Sequence, residues 1–387
     1  MLKDIKFKRY DAKLLMVLTT LLSIFITFTY ARSMTLVYGV TEIALAVLSY
    51  ALVLRNIKAP DQIIISIVAI LTFVSLINGI IYGDVKSVLL LSISIVLPLS
   101  ISVLPIGFSD NSAEFKWGFL AGLSIILLNS ITNFLGQINS NTLGFYCYMA
   151  ISFGFVWYKQ SKKKIFPLIL ILLGAVLSAN TGSRNVAIII VIMLVFLLLP
   201  DKFWENKATF RIIYIAILFY TIFASDILEW IFSHERLASF LNDYTSNISD
   251  KNWGMEGRIH FFKEVEYKIS QMNWYNKLFG EGILKRHGHN MFYQSVFIYG
   301  YLGTVLVYAM YVRVFEMAYH LISKHNDKMT LGIFVALIGI FLLNGADLFL
   351  LGSETCAVIP QVLIGIIMLR YRTAIKKEKL ELEMVKE

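Results

Sequence analysis

KQSKKKIFPLILILLGAVLSANTGSRNVAIIIVIMLVFLLLPDK, residues 159–202, decides what kind of protein this is. Lysines crowd its two ends. Between Ile165 and Ala179, and again between Val186 and Pro200, no charged residue occurs. A helix built from either run is apolar on every side, so it buries itself in lipid or in the middle of a large bundle. The runs meet at Asn180-Thr181-Gly182-Ser183. They read either as two short membrane spans or as parts of a broken pair lining a cavity.

The pattern recurs along the chain. A span needs about 20 apolar residues, and twelve stretches qualify as candidates, near 13–30, 34–54, 62–82, 87–106, 115–134, 142–158, 165–179, 184–200, 210–231, 291–312, 330–350 and 355–370. Of the 387 residues 57% are hydrophobic and 16% charged, with a mean hydropathy of +0.69. Soluble domains carry about 25% charged residues, so this chain has too few to clothe a water-facing surface of its size. The fold class is therefore all-α: a polytopic transmembrane helix bundle of about twelve spans. Residues 1–387 form one integral membrane domain, with a long loop at 232–290 between the ninth and tenth spans.

The net charge of +9 would suit a nucleic-acid binder, but its distribution excludes that partner. The basic residues lie in clusters between apolar runs, as the positive-inside rule requires. With the N-terminus inside, the short outer loops hold three of the 35 lysines and arginines (Arg32, Lys86 and Arg184). The long loop holds eight, leaving 24 on the inner side. Twelve spans with both termini cytoplasmic follow, in an inner membrane, with the long loop outside the cytoplasm. The basic segment Met1 to Lys13 and the run after it, which lacks a small-residue cleavage site, read as a retained first helix. Cys147 and Cys356 lie in apolar stretches and imply neither a disulfide framework nor a zinc site. The charged tail from Lys376 to Glu387 reads as a frayed cytoplasmic helix.

The long loop has an order of its own. His234-Glu235-Arg236 and a polar stretch from Asn242 to Asn252 come first, then Gly254-Met255-Glu256-Gly257-Arg258. From Ile259 to Met272 the apolar residues Ile259, Phe261, Phe262, Val265, Ile269 and Met272 fall mostly on one helical face. Lys263, Glu264, Glu266 and Lys268 lie largely elsewhere. This predicts an amphipathic helix at the membrane surface, with Trp274 and Tyr275 as interfacial anchors. Gly280-Glu281-Gly282 makes a turn, and Arg286-His287-Gly288-His289-Asn290 leads into the tenth span.

Each polar candidate carries two readings. Ser183-Arg184 opens the eighth helix. An arginine there opposes the helix dipole unless an anion binds, which makes it either an anion site or an arginine snorkelling to the interface. Arg258 is either a second anion contact or a basic residue touching lipid head groups. His287 and His289 offer a general base near neutral pH, a His-X-His metal pair without a recognisable further ligand, or a polar loop end that Asn290 caps. Asp347 and Glu354 near the eleventh span are either functional intramembrane carboxylates or interfacial ones. Phosphate-loop, dinucleotide and serine-nucleophile motifs are absent.

The order of these features resembles that of the O-antigen polymerase and O-antigen ligase family of bacterial membrane glycosyltransferases. Thr-Gly-Ser-Arg at a late helix start precedes a long outer loop with Gly257-Arg258. Gly-X-Gly, His289-Asn290 and Tyr299-Gly300-Tyr301-Leu302-Gly303 follow, so the likeness runs from about Asn180 to Gly303. It implies a periplasmic-face hexosyltransferase that needs no cofactor and no metal. Its donor is a glycan on undecaprenyl pyrophosphate. The acceptor is a lipid-linked repeat unit for a polymerase or lipid A core for a ligase. Membrane lipids and a chain-length regulator complete the implied partners. Matched motif positions make Arg184, Arg258 and His289 the catalytic set, with Arg286, His287, Ser183 and Asn290 binding substrate. The compact loop and short chain favour the polymerase over the ligase. A flippase for lipid-linked oligosaccharide is the reading from another class, but a transporter should concentrate polar groups near the bilayer midplane, and here they gather in the outer loop.

Overall fold

In lipid a backbone must satisfy its own hydrogen bonds, and the uninterrupted apolar runs accordingly become helices. The computed structural model describes residues 9–57, 61–108, 113–133, 135, 140–180, 183–233, 255–282, 290–346 and 358–384, and helices are the only regular structure among them. They are α1 (Arg9–Ala31), α2 (Thr35–Arg55), α3 (Gln62–Tyr82), α4 (Val85–Ser102, with a π-helical turn at Ser92–Val96), α5 (Ala113–Thr132), α6 (Ser140–Gln160), α7 (Ile165–Ala179) and α8 (Arg184–Leu198). After them come α9 (Asp201–Glu205), α10 (Lys207–Ser233), α11 (Met255–Ser270), α12 (Trp274–Phe279), α13 (Met291–His325), α14 (Lys328–Ala346) and α15 (Val358–Met384).

Among the described residues, nine of these helices are long and apolar enough to cross a membrane: α1 to α5, α10, α13, α14 and α15. The chain is a multi-pass, all-α membrane protein. Helices α7 and α8 have 15 residues each, about 22 Å at 1.5 Å per residue, and pack against one another. Many large apolar side chains point outward, with Ile80 84% and Leu36 78% exposed. That is the reverse of a water-soluble surface and suits a lipid-facing one.

Two helices form the centre. α6 is buried from Phe145 to Tyr158, and α14 is buried along nearly its whole length. They pack closely because small residues meet there: a Cβ on Gly332 of α14 would stand 2.6 Å from the Val156 Cα of α6. Such small-residue contacts let helix backbones approach where no hydrophobic effect drives them together. Helices α8 and α10 both pack on α14, and α13 packs on α3, α10, α14 and α15.

The bundle has two unlike ends. At the tail end, where the charged extension of α15 leaves, ion pairs tie helices together. Arg211 of α10 grips Glu316 of α13 with two bonds of 2.8 Å, and Arg313 of α13 reaches Asp61 before α3 at 2.8 Å. Arg370 of α15 meets Asp327 before α14 at 2.5 Å, and Lys159 of α6 meets Asp201 at 3.0 Å. At the other end, the loop end, α3 and α10 finish, α13 begins, and α11 and α12 lie across them.

Candidate functional site at the loop end

The site is framed by two breaks in helices. The first is in α13. Gly300 has φ 65° and ψ −176°, a conformation closed to residues with a side chain. It interrupts the helical ladder and leaves the carbonyls of Phe297 and Ile298 without their usual helical partners. The Gly280-Glu281-Gly282 turn supplies new ones. Phe297 O accepts from Glu281 N at 2.7 Å and Gly282 N at 3.1 Å. Asn78 of α3 donates from Nδ2 to Phe279 O at 2.8 Å and to Ile298 O at 3.3 Å. Thus the Gly-X-Gly and the Tyr-Gly-Tyr-Leu-Gly, two separate signals in the sequence, form one structural unit.

Side chains around the turn complete it. Tyr82 of α3 donates to Asn276 Oδ1 at 2.5 Å, and Asn276 donates from Nδ2 to Glu281 Oε1 at 2.9 Å. Asp84, fully buried, caps α4 by accepting from Ser87 N at 3.1 Å and Ser87 Oγ at 2.5 Å. Gly282 lies against that carboxylate so tightly that any Cβ would overlap Oδ2.

The second break is in α10, where Phe223 leaves helical geometry at φ −102° and ψ 19°. Asn290 reaches this kink. It caps α13 as its sequence position predicts, accepting from Tyr293 N at 2.8 Å, and its Nδ2 donates to Thr221 O at 3.4 Å. Gly282 and Asn290, the described residues nearest on either side of 283–289, are therefore both anchored to α13. Gly282 is held at Phe297, and Asn290 stands seven residues before Phe297, so about 10 Å away along the helix.

Between the breaks runs a seam of hydroxyls. Tyr308 of α13 pairs with Thr221 of α10 at 2.7 Å, and Ser225 of α10 with Tyr293 of α13 at 2.9 Å. Tyr293 donates to Glu266 Oε1 of α11, and the Ser225 hydroxyl stands 3.2 Å from the same oxygen. Sequence reasoning missed Glu266. It stands among Lys263, Glu264 and Lys268 and reads as one more solvated charge. It also missed Asn78, although a lone asparagine near the end of the very apolar α3 is a legible signal.

Helix α11 forms as its periodicity predicts, but its apolar face is not turned to lipid. Phe262, Val265, Ile269 and Met272 bury themselves against Tyr293, Val296 and Phe297 of α13. Protein, not bilayer, covers that face, because α13 offers an equally apolar partner at closer range. Tyr267 and Trp274 remain 66% and 72% exposed. Tyr275 packs on Trp274 and Phe279.

The expected arginines both occupy first turns of helices at the loop end. Arg184 is the first residue of α8, after the buried N-cap Ser183, and Arg258 is the fourth residue of α11. Each is placed here by its backbone. A helix N-terminus presents free N–H groups, so an anion at either position would meet backbone donors. Arg286, His287 and His289 lie outside the described residues, as do Asp347, Glu354, Cys356 and the stretch from His234 to Asn252. What the described frame can do is fix Gly282 and Asn290, the residues that flank the polar stretch, through Phe297, Tyr293 and Thr221. The chain matches no protein-family model and no curated protein.

Proposed function

We propose that this protein is a glycosyltransferase of the bacterial inner membrane that polymerises O-antigen, or a related surface polysaccharide, at the periplasmic face. The chain crosses twelve times, α6, α7 and α8 included, and both termini are cytoplasmic, following the lysine and arginine bias. Each donor is a glycan on undecaprenyl pyrophosphate, and each acceptor is a lipid-linked repeat unit. The observation that supports this reading is the anchoring of Gly282 and Asn290, because a base next to a fixed residue can be held in the geometry it needs to act.

His289 takes the proton of the attacking hydroxyl. The new bond forms between that oxygen and the anomeric carbon. The anomeric carbon–oxygen bond to pyrophosphate breaks, and its electron pair leaves on the lipid pyrophosphate. Arg184 and Arg258, with the free N–H groups of their helix starts, stabilise that departing anion. Arg286 and His287 contact the substrate, while Ser183 and Asn290, buried at the starts of α8 and α13, position their neighbours Arg184 and His289. No cofactor enters these steps.

The test is the lipopolysaccharide of a deletion strain. Core bearing a single repeat unit supports the polymerase. Core without O-antigen, with polymer retained on undecaprenyl pyrophosphate, replaces it with the ligase. Units retained on the inner leaflet replace it with the flippase.

A further inference from the structure

The tail end carries a cluster that the proposed chemistry does not use. At about 1.5 Å per residue, the part of α13 after its break, residues 301–325, and the 27 residues of α15 extend about 37 and 40 Å. The hydrocarbon core is about 30 Å thick, so both helices project beyond it. On these projections His320 and His325 of α13 meet Glu378 of α15. His320 Nε2 stands 3.1 Å and His325 Nε2 2.9 Å from the same atom, Glu378 Oε1.

We infer that His320, His325 and Glu378 form a binding site for a divalent transition metal of the zinc class, which clasps the C-terminal helix to α13. Three features point there. The first is the donor set. Two imidazoles and a carboxylate are ligands zinc accepts, and all three ligand atoms lie within 4.8 Å of one another. The second is the aim of the rings. Residues five apart stand about 140° apart around a helix and share no face. Here both rings nevertheless turn the same nitrogen to one oxygen. In a tetrahedral zinc site with bonds of about 2.0–2.1 Å, neighbouring ligand atoms are about 3.3 Å apart. The two nitrogen–oxygen distances are within a few tenths of that edge, so small ring rotations admit the ion.

The third feature is what surrounds the ligands. The Tyr371 ring packs edge-on against His320, with centroids 5.3 Å apart, and the Arg313 guanidinium lies over the Tyr371 ring, 5.8 Å from its centroid. This holds the His320 ring in orientation, as second-shell groups do at metal sites. His325 and Glu378 are about one-third exposed, so the fourth position opens to water. Lys324, an exposed lysine, is near enough to act on the Glu378 carboxylate.

The experiment uses the full chain in detergent, purified without a histidine tag, stripped with chelator and titrated with Co²⁺. Cobalt reports tetrahedral coordination by its visible absorption, and Zn²⁺ is then added to displace it. One equivalent should bind at micromolar concentration, and Zn²⁺ should raise the thermal midpoint. His320→Ala, His325→Ala and Glu378→Gln should each weaken binding by more than about tenfold. A double His287→Ala, His289→Ala variant should bind as the parent does. The proposal is overturned if no cobalt band appears, or if binding survives in the three ligand variants. It is equally overturned if binding disappears in the double variant. A change in fold is recognised by a lower midpoint in metal-free buffer. Glu378→Gln keeps the shape of the site and guards against it.

Discussion

Gly280 and Gly300 each press on the backbone that leads into the other, so closely that neither position has room for a side chain. A Cβ on Gly280 would stand 2.7 Å from the Tyr299 nitrogen and would overlap the Ile298 carbonyl, while one on Gly300 would overlap the carbonyl of Leu278. Both residues also have positive φ, 86° and 65°. Gly280→Ala and Gly300→Ala should therefore each destabilise the loop end, by about 1–3 kcal/mol for the backbone strain alone, and reduce glycan transfer. Thermal midpoints of the purified variants provide the measurement. As a comparison, Gly39→Ala should be silent, because a Cβ there meets nothing within 4 Å. Parent-like midpoints for Gly280→Ala and Gly300→Ala would show that the turn and the break are not interdependent.

The hydroxyl seam makes a second prediction. Tyr293→Phe removes the donor that Glu266 and the partner that Ser225 now have, and each such bond contributes about 0.5–1.5 kcal/mol. Glu266→Gln keeps an acceptor and should cost less. The double variant should cost less than the sum of the two singles, because both remove the same bond. Strict additivity in thermal midpoints would mean the two side chains do not interact.

Orientation is tested by reporter fusions. Fusions at Lys163 and at the C-terminus should read cytoplasmic, and fusions near Asn247 periplasmic. The clustering of lysine and arginine between alternate apolar runs is the reason. A cytoplasmic signal at Asn247 would remove both the orientation and the proposed face of catalysis.

The legible parts of this structure are those that local physics alone decides. Apolar runs such as Ile165 to Ala179 must be helical because lipid offers their backbone no partner. Asn290 reads as a cap because its side chain bonds three residues ahead. The face of α11 shows in its period, yet what covers that face does not, since Tyr293 and Phe297 look no different from lipid-facing residues in sequence. The break at Gly300 was equally hidden. Tyr299-Gly300-Tyr301 sits inside an apolar run that continues as helix on both sides, and only the docked turn at Gly280 sustains the interruption. Glu266 and Glu378 both lie in charge-rich stretches that read as solvated. Their partners are 27 to 58 residues away, a distance over which spacing carries no information.

The arginines give the fourth prediction. Arg184→Ala and Arg258→Ala should each abolish or severely reduce glycan transfer while membrane levels stay near normal. Lysine should restore little at either position if the pyrophosphate contact is bidentate, because an ammonium group is only a point charge. Wild-type transfer by both alanine variants would return these residues to the role of interfacial arginines.

The last prediction separates the two histidines. His289 directly precedes Asn290, which is fully buried and bonded both to Tyr293 and to the kinked α10. A base at that position inherits the rigidity of two helices. His287 is one glycine further from the anchor. Loss of a general base costs about 10²- to 10⁴-fold in rate, and loss of a peripheral contact far less. The measurement is transfer from a purified lipid-linked donor in reconstituted membranes, across a pH series and with chelator present. His289→Ala should be nearly inactive, and His287→Ala should keep substantial activity. The parent's rate should fall as pH drops through the range where an imidazole gains its proton, since a protonated base cannot accept another. Chelator should leave the rate unchanged even if it strips the His320–His325–Glu378 cluster, because that cluster lies at the opposite end of the bundle. Reverse ranking of the two variants would make His287 the base. Equal, severe losses together with chelator sensitivity would instead establish a His-X-His metal site at the centre of the reaction.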